Sequence, residues 1–129
     1  MGGKDARSVQ ANRITVARAL GLALALTQLF DIIIHAAADQ LEPLRVAANL
    51  VVLLWLGALA AGKFKAQAWP LALGALGVYL VLNLVFLMRE GLTNPAQGDA
   101  VRVMLLLLVA TTAALAAALA ALLHGGRRP

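Results

Sequence analysis

The stretch FDIIIHAAADQ, residues 30–40, decides how this chain is read. It is an apolar run interrupted by Asp31, His35 and Asp39 at intervals of four, and a helix would stack those three on one face. Thr27 extends the same stripe, with Gln28 and Glu42 beside it. What the stripe means depends on the medium around it, and the flanking sequence specifies that medium.

The 129-residue chain is 62% hydrophobic and 13% charged, whereas a typical soluble domain carries about 25% charged residues. Apolar runs recur at 19–38, 44–61, 69–88 and 103–123, each near the ~20 residues that a helix needs to cross ~30 Å of hydrocarbon. The predicted fold is an all-α integral membrane protein, four transmembrane helices in an antiparallel bundle. One domain spans 1–129, with helices at about 14–38, 43–62, 69–89 and 99–123 and short tails at both ends. A β-barrel is excluded because its strands alternate apolar and polar positions, whereas VMLLLLVATTAALAAALAALL, residues 103–123, is apolar all round. Pro43 and Pro70 sit near the starts of runs, where a missing N–H costs least. EGLTNPAQGD, residues 90–99, is rich in turn formers, and Asp99 is expected to cap the fourth helix.

With four crossings, the termini and the middle loop share one side. That side holds Lys4, Arg7, Arg13, Arg18, Lys63, Lys65, Arg127 and Arg128. The other holds Arg45, Arg89 and Arg102 together with Asp39, Glu42, Glu90 and Asp99. The imbalance predicts cytoplasmic termini in the cell inner (plasma) membrane. A secretory signal cut before Asp39 is the competing reading of the basic start and HAAADQ. It fits less well, because the apolar stretch exceeds the usual ~7–15 residues and contains Asp31. The pI near 10.8 does not imply nucleic acid, since the basic residues flank apolar runs instead of sharing a face. Without cysteine there is no disulfide, thiolate ligand or thiol nucleophile.

If Arg18 marks the inner boundary, Asp31 lies about 20 Å into a ~30 Å core. If the boundary is Arg13 and Arg18 snorkels back, Asp31 lies about 27 Å in and is wet. The deeper register keeps Arg18 out of hydrocarbon, where an arginine costs roughly 2.5–3.5 kcal/mol. Asp31 then needs a partner at its own height. Arg45 is the choice, because the short turn before Pro43 makes the first two helices neighbours; His35, Asn49 and Arg102 are the other candidates.

Asp31, His35, Asp39, Arg45, Asn49 and Asn83 therefore form a predicted polar cluster or ion/proton site toward the outer leaflet. No cofactor is predicted; a metal, were one bound, would draw on Asp31, His35 and Asp39. Small residues at intervals of four mark candidate packing faces: Gly21 with Ala25, Gly57 with Ala61, Ala58 with Gly62, and alanine stripes on the fourth helix that include Ala114 and Ala117. Two small faces on one helix permit two neighbours, one of them a second chain.

There is no phosphate loop, no nucleophile elbow and no H-x-x-x-H zinc pair, and enzymatic activity is not expected. The function predicted is that of an accessory or assembly subunit of a larger membrane complex, or a homo-oligomer. Its partners are the lipid bilayer and other membrane subunits or itself. The alternative is a small proton- or cation-coupled transporter in which Asp31 exchanges protons and His35 relays them. For that reading the architecture resembles small multidrug-resistance transporters, which carry an acid in the first of four helices. The six aromatics here, two Trp, one Tyr and three Phe, make a sparser cage than that family's.

Overall fold

The computed structural model describes residues 2–63 and 67–125. Lys65, Arg127 and Arg128, counted above for orientation, lie outside the described residues. Four long helices account for nearly all of the rest: α1 Gly2–Ala37, α2 Pro43–Ala60, α3 Ala68–Glu90 and α4 Val103–Gly125. Each is long and apolar enough to cross a membrane. α1 packs chiefly against α2 and α4, and α3 against the same two, so the four close into a ring.

α1 begins at Gly2 instead of near residue 14. The intervening KDARSVQANR contains no proline and several strong helix formers, so nothing stops the helix from propagating backwards. Its 36 residues span about 54 Å, far more than one bilayer core. It ends in a double hydrogen bond, Gln40 N–H to His35 O at 2.8 Å and Asp39 N–H to Ala36 O at 3.1 Å, with Asp39 at φ 55°. This is a Schellman closure with an aspartate in the left-handed position that glycine usually fills. α2 starts on Pro43 and closes the same way, Lys63 N–H to Ala58 O at 2.9 Å and Gly62 N–H to Leu59 O at 3.1 Å, with Gly62 at φ 75°. Gly62 thus serves backbone geometry and not close helix packing.

Asp99 does not cap α4. It stands at φ 63° in a small hairpin, where β1 Thr93–Asn94 pairs antiparallel with β2 Ala100–Val101 around a single 3₁₀ turn, Pro95–Gln97. The helix starts only at Val103, after Arg102 N–H has closed back on Leu92 O at 2.9 Å.

The core is apolar at one end of the bundle, where Leu24, Val52, Ala72, Ala75, Ala116 and Leu119 interlock. Outside it, each span is mostly uncovered: only 17% of an 18-residue stretch of the first and 33% of one of the fourth is buried within the chain. Leu54 and Met88 are 73% and 78% exposed. An apolar exterior on this scale is unfavourable in water and is satisfied by a lipid medium.

Candidate functional site

At the other end of the bundle the core turns polar. Asp31 and Arg45 are 2% and 4% exposed, and such charges are tolerated in an interior only when paired and hydrogen-bonded. Here the pairing is bidentate. Arg45 Nη1 donates to Asp31 Oδ1 at 3.0 Å and Nη2 to Oδ2 at 2.7 Å, the parallel fork that only arginine offers a carboxylate. The third guanidinium nitrogen, Nε, donates to Asn83 Oδ1 at 3.0 Å, and Asn83 Nδ2 donates to Tyr79 O at 2.9 Å. The clamp therefore ties α1, α2 and α3 together. The helices position it simply: Asp31 lies in the last third of α1, Arg45 in the first turn of α2, and the turn between them is short.

His35 completes the group. Its Nδ1 stands 2.8 Å from both Oδ1 and the backbone oxygen of Asp31, and its Nε2 faces Arg45 Nη1 at 3.4 Å. A nitrogen between two acceptors donates, so these neighbours place a hydrogen on Nδ1. Asn49, one turn below Arg45, is 2% exposed and its Oδ1 has no hydrogen-bond partner. It lines, with Asp31, His35 and Arg45, a cavity of about 10 Å³, room for roughly one water.

Above the clamp lies a vestibule of about 440 Å³, walled by the ends of α1 and α3, the starts of α2 and α4, and the hairpin. His35 and Arg45 line its floor; Gln40, Glu42, Glu90 and Gln97 line its sides, and Arg102 its rim. The Arg102 side chain is oriented by its Nε, which donates to Gly91 O at 3.0 Å, and by the Phe86 ring, 5.2 Å from its guanidinium carbon.

Five of the six residues predicted as a polar cluster, Asp31, His35, Arg45, Asn49 and Asn83, come together. Asp39 does not: its left-handed backbone turns the chain out of the helical stripe, and its side chain is exposed. Among the described residues no three His, Cys, Asp or Glu side chains gather as metal ligands, and Asp39 stands apart from Asp31 and His35. Of the packing candidates, Gly21 is partly buried, and a Cβ there would meet the Leu56 side chain at 3.9 Å. Gly57, Ala61, Ala114 and Ala117 are exposed on the outside of the single chain. The face that α4 buries is Leu105, Leu108, Thr112, Ala116, Leu119 and Ala120.

A second polar layer escaped the sequence reading. Below the clamp, Gln28 Nε2 donates to Thr112 Oγ1 at 2.8 Å, with both side chains fully buried. The Tyr79 hydroxyl is buried near Thr112 without a hydrogen bond of proper geometry, and Gln28 Oε1 is likewise unpaired. The available signal was Thr112 itself, a hydroxyl in mid-run on α4 at the height of Gln28. Compared with known proteins, no family model matches the chain, and no curated protein and no solved structure matches it.

Proposed function

We propose that this chain is a non-enzymatic multi-pass protein of the cell inner (plasma) membrane, acting as an accessory or assembly subunit of a larger membrane complex or as a homo-oligomer. Its helices cross as an antiparallel bundle, with the termini cytoplasmic and the polar vestibule toward the outer leaflet. The antiparallel arrangement is supported by contacts that join the start of one helix to the end of another. Arg13 Nη2 donates to Leu122 O at 2.9 Å, and the rings of Trp69 and His124 lie 4.7 Å apart. The positive-inside tendency supports the orientation.

The observation that carries the functional reading is the closed state of the Asp31–Arg45–Asn83 clamp. Both carboxylate oxygens are engaged by one guanidinium, which suits a group that holds helices in register better than one that turns over. Meanwhile all four helices present broad apolar outer faces on which another subunit can seat. The test is extraction of the tagged full chain in a mild detergent, followed by native mass spectrometry. A defined larger partner or a discrete self-oligomer is expected; a strict monomer at membrane concentrations would overturn the reading.

The second reading is a proton- or cation-coupled transporter using Asp31 and His35. The vestibule favours it, because it opens onto His35 and Arg45 from one end of the bundle. Solute movement by the chain reconstituted alone, abolished by Asp31→Asn, would select it.

A further inference from the structure

The vestibule does not end at its polar wall. Beside it, between α1 and α4, runs a shallow apolar groove of about 280 Å³ lined by Leu26, Phe30, Leu107 and Thr111. Met104 lines both cavities, so the two are neighbours on either side of its side chain. Their order along the helices agrees: the vestibule uses Ile34, His35 and Ala38 of α1, and the groove uses Leu26 and Phe30, one to two turns further toward its start. The groove walls are exposed, Phe30 at 52% and Leu107 at 58%, on a surface that the apolar spans turn toward lipid. A polar chamber with an apolar groove beside it matches the two parts of an amphiphile.

The charges select its head. Arg45 is neutralised by Asp31, which leaves Arg102 as the arginine in the chamber wall not held by a carboxylate. Glu42 and Glu90 both line the chamber, and among the described residues neither carboxylate has an ion-pair or hydrogen-bond partner. Glu42 precedes α2 without capping it. One guanidinium facing two carboxylates fits a head that carries a phosphate and a hydrogen-bonding ammonium. An anionic head without an amine would meet two uncompensated carboxylates, and a quaternary ammonium has no N–H to donate to them.

We propose that this chain holds a membrane phospholipid with a primary-ammonium head, its phosphate at Arg102, its ammonium between Glu42 and Glu90, and one acyl chain along the α1–α4 groove. The lipid completes the polar end of the bundle from the membrane side.

The test uses the full chain, delipidated in detergent, with an equimolar mixture of palmitoyl-oleoyl phosphatidylethanolamine, phosphatidylcholine and phosphatidylglycerol, read by native mass spectrometry. One phosphatidylethanolamine per chain is expected, retained about tenfold over the other two, the ratio that one extra charge-assisted contact supplies. Leu107→Trp, which fills the groove, should abolish retention. The double change Glu42→Gln with Glu90→Gln should erase the head preference while leaving chain binding. Leu84→Trp, on the exposed side of α3, should alter nothing. Should Leu107→Trp fail to fold, the glutamate pair alone decides. Equal retention of the three lipids, no effect of the glutamate changes, displacement by free phosphoethanolamine, or a polypeptide crosslinked at position 107 would each overturn the proposal. None of these outcomes except the last bears on the subunit reading, so the two fail separately.

Discussion

Arg45→Ala is the most informative single change. It strips Asp31 of both guanidinium contacts, at 2.7 and 3.0 Å, and Asn83 Oδ1 of its donor. The carboxylate is 2% exposed and has only His35 left beside it. Breaking a buried pair from one side leaves an uncompensated charge and costs about 3–5 kcal/mol, and the orphaned amide oxygen adds about 1 kcal/mol. In a chain of this size that corresponds to a fall in Tm of more than about 10 °C. Combining the change with Asp31→Asn removes the stranded charge and should recover roughly half of the loss. Thermal unfolding of the three variants in dodecyl maltoside, followed by tryptophan fluorescence, makes the comparison. A loss below about 1 kcal/mol for Arg45→Ala, or a double variant no more stable than the single one, would refute the view that the pair is sealed from water.

Three further outcomes are expected. Tyr79→Phe deletes a buried hydroxyl that lies near Thr112 without a hydrogen bond of proper geometry and should stabilise by up to about 1 kcal/mol, raising Tm by a few degrees; a drop would mean that Thr112 or an internal water serves it. Ala116→Leu overpacks a site that is 1% exposed and should cost about 1–3 kcal/mol, whereas Ala117→Leu, on the exposed neighbouring face, should leave monomer stability unchanged and alter only an oligomer, as sedimentation in detergent will report. A phosphatase fused after Gln97 should be active and one fused after Phe64 inactive, with a fluorescent reporter giving the inverse; the opposite pattern overturns the orientation.

The helices and the clamp could be read from the sequence because each rests on a strong local signal. The apolar runs match one bilayer crossing, and Asp31 with Arg45 are the charges that a short turn brings face to face. Asn83 was expected in the cluster, but its part as acceptor for Arg45 Nε came only from the structure. The alanine stripes did not mark the face that α4 buries within the chain, for a physical reason: on a helix where small residues occupy several faces, spacing cannot select which one turns inward. The rotation of α4 follows instead from Thr112, which meets Gln28, and from Leu105, Leu108 and Leu119, which fill the interior. Asp39 and Asp99 were misjudged because their left-handed backbones depend on how neighbouring segments close, and aspartate tolerates that region without announcing it.

The clamp also bears on how the chain is made. Released singly, α1 would carry a lone aspartate and α2 a lone arginine into hydrocarbon, each at roughly 2.5–3.5 kcal/mol on insertion scales. Separated by a turn too short for either to wait far from the other, the two charges cancel when the segments leave the translocon as one hairpin. Membrane entry of α1 is therefore expected to await synthesis of α2. Glycosylation tags scoring insertion of residues 1–42 against residues 1–63 should find the shorter nascent chain slipping through and the longer one staying.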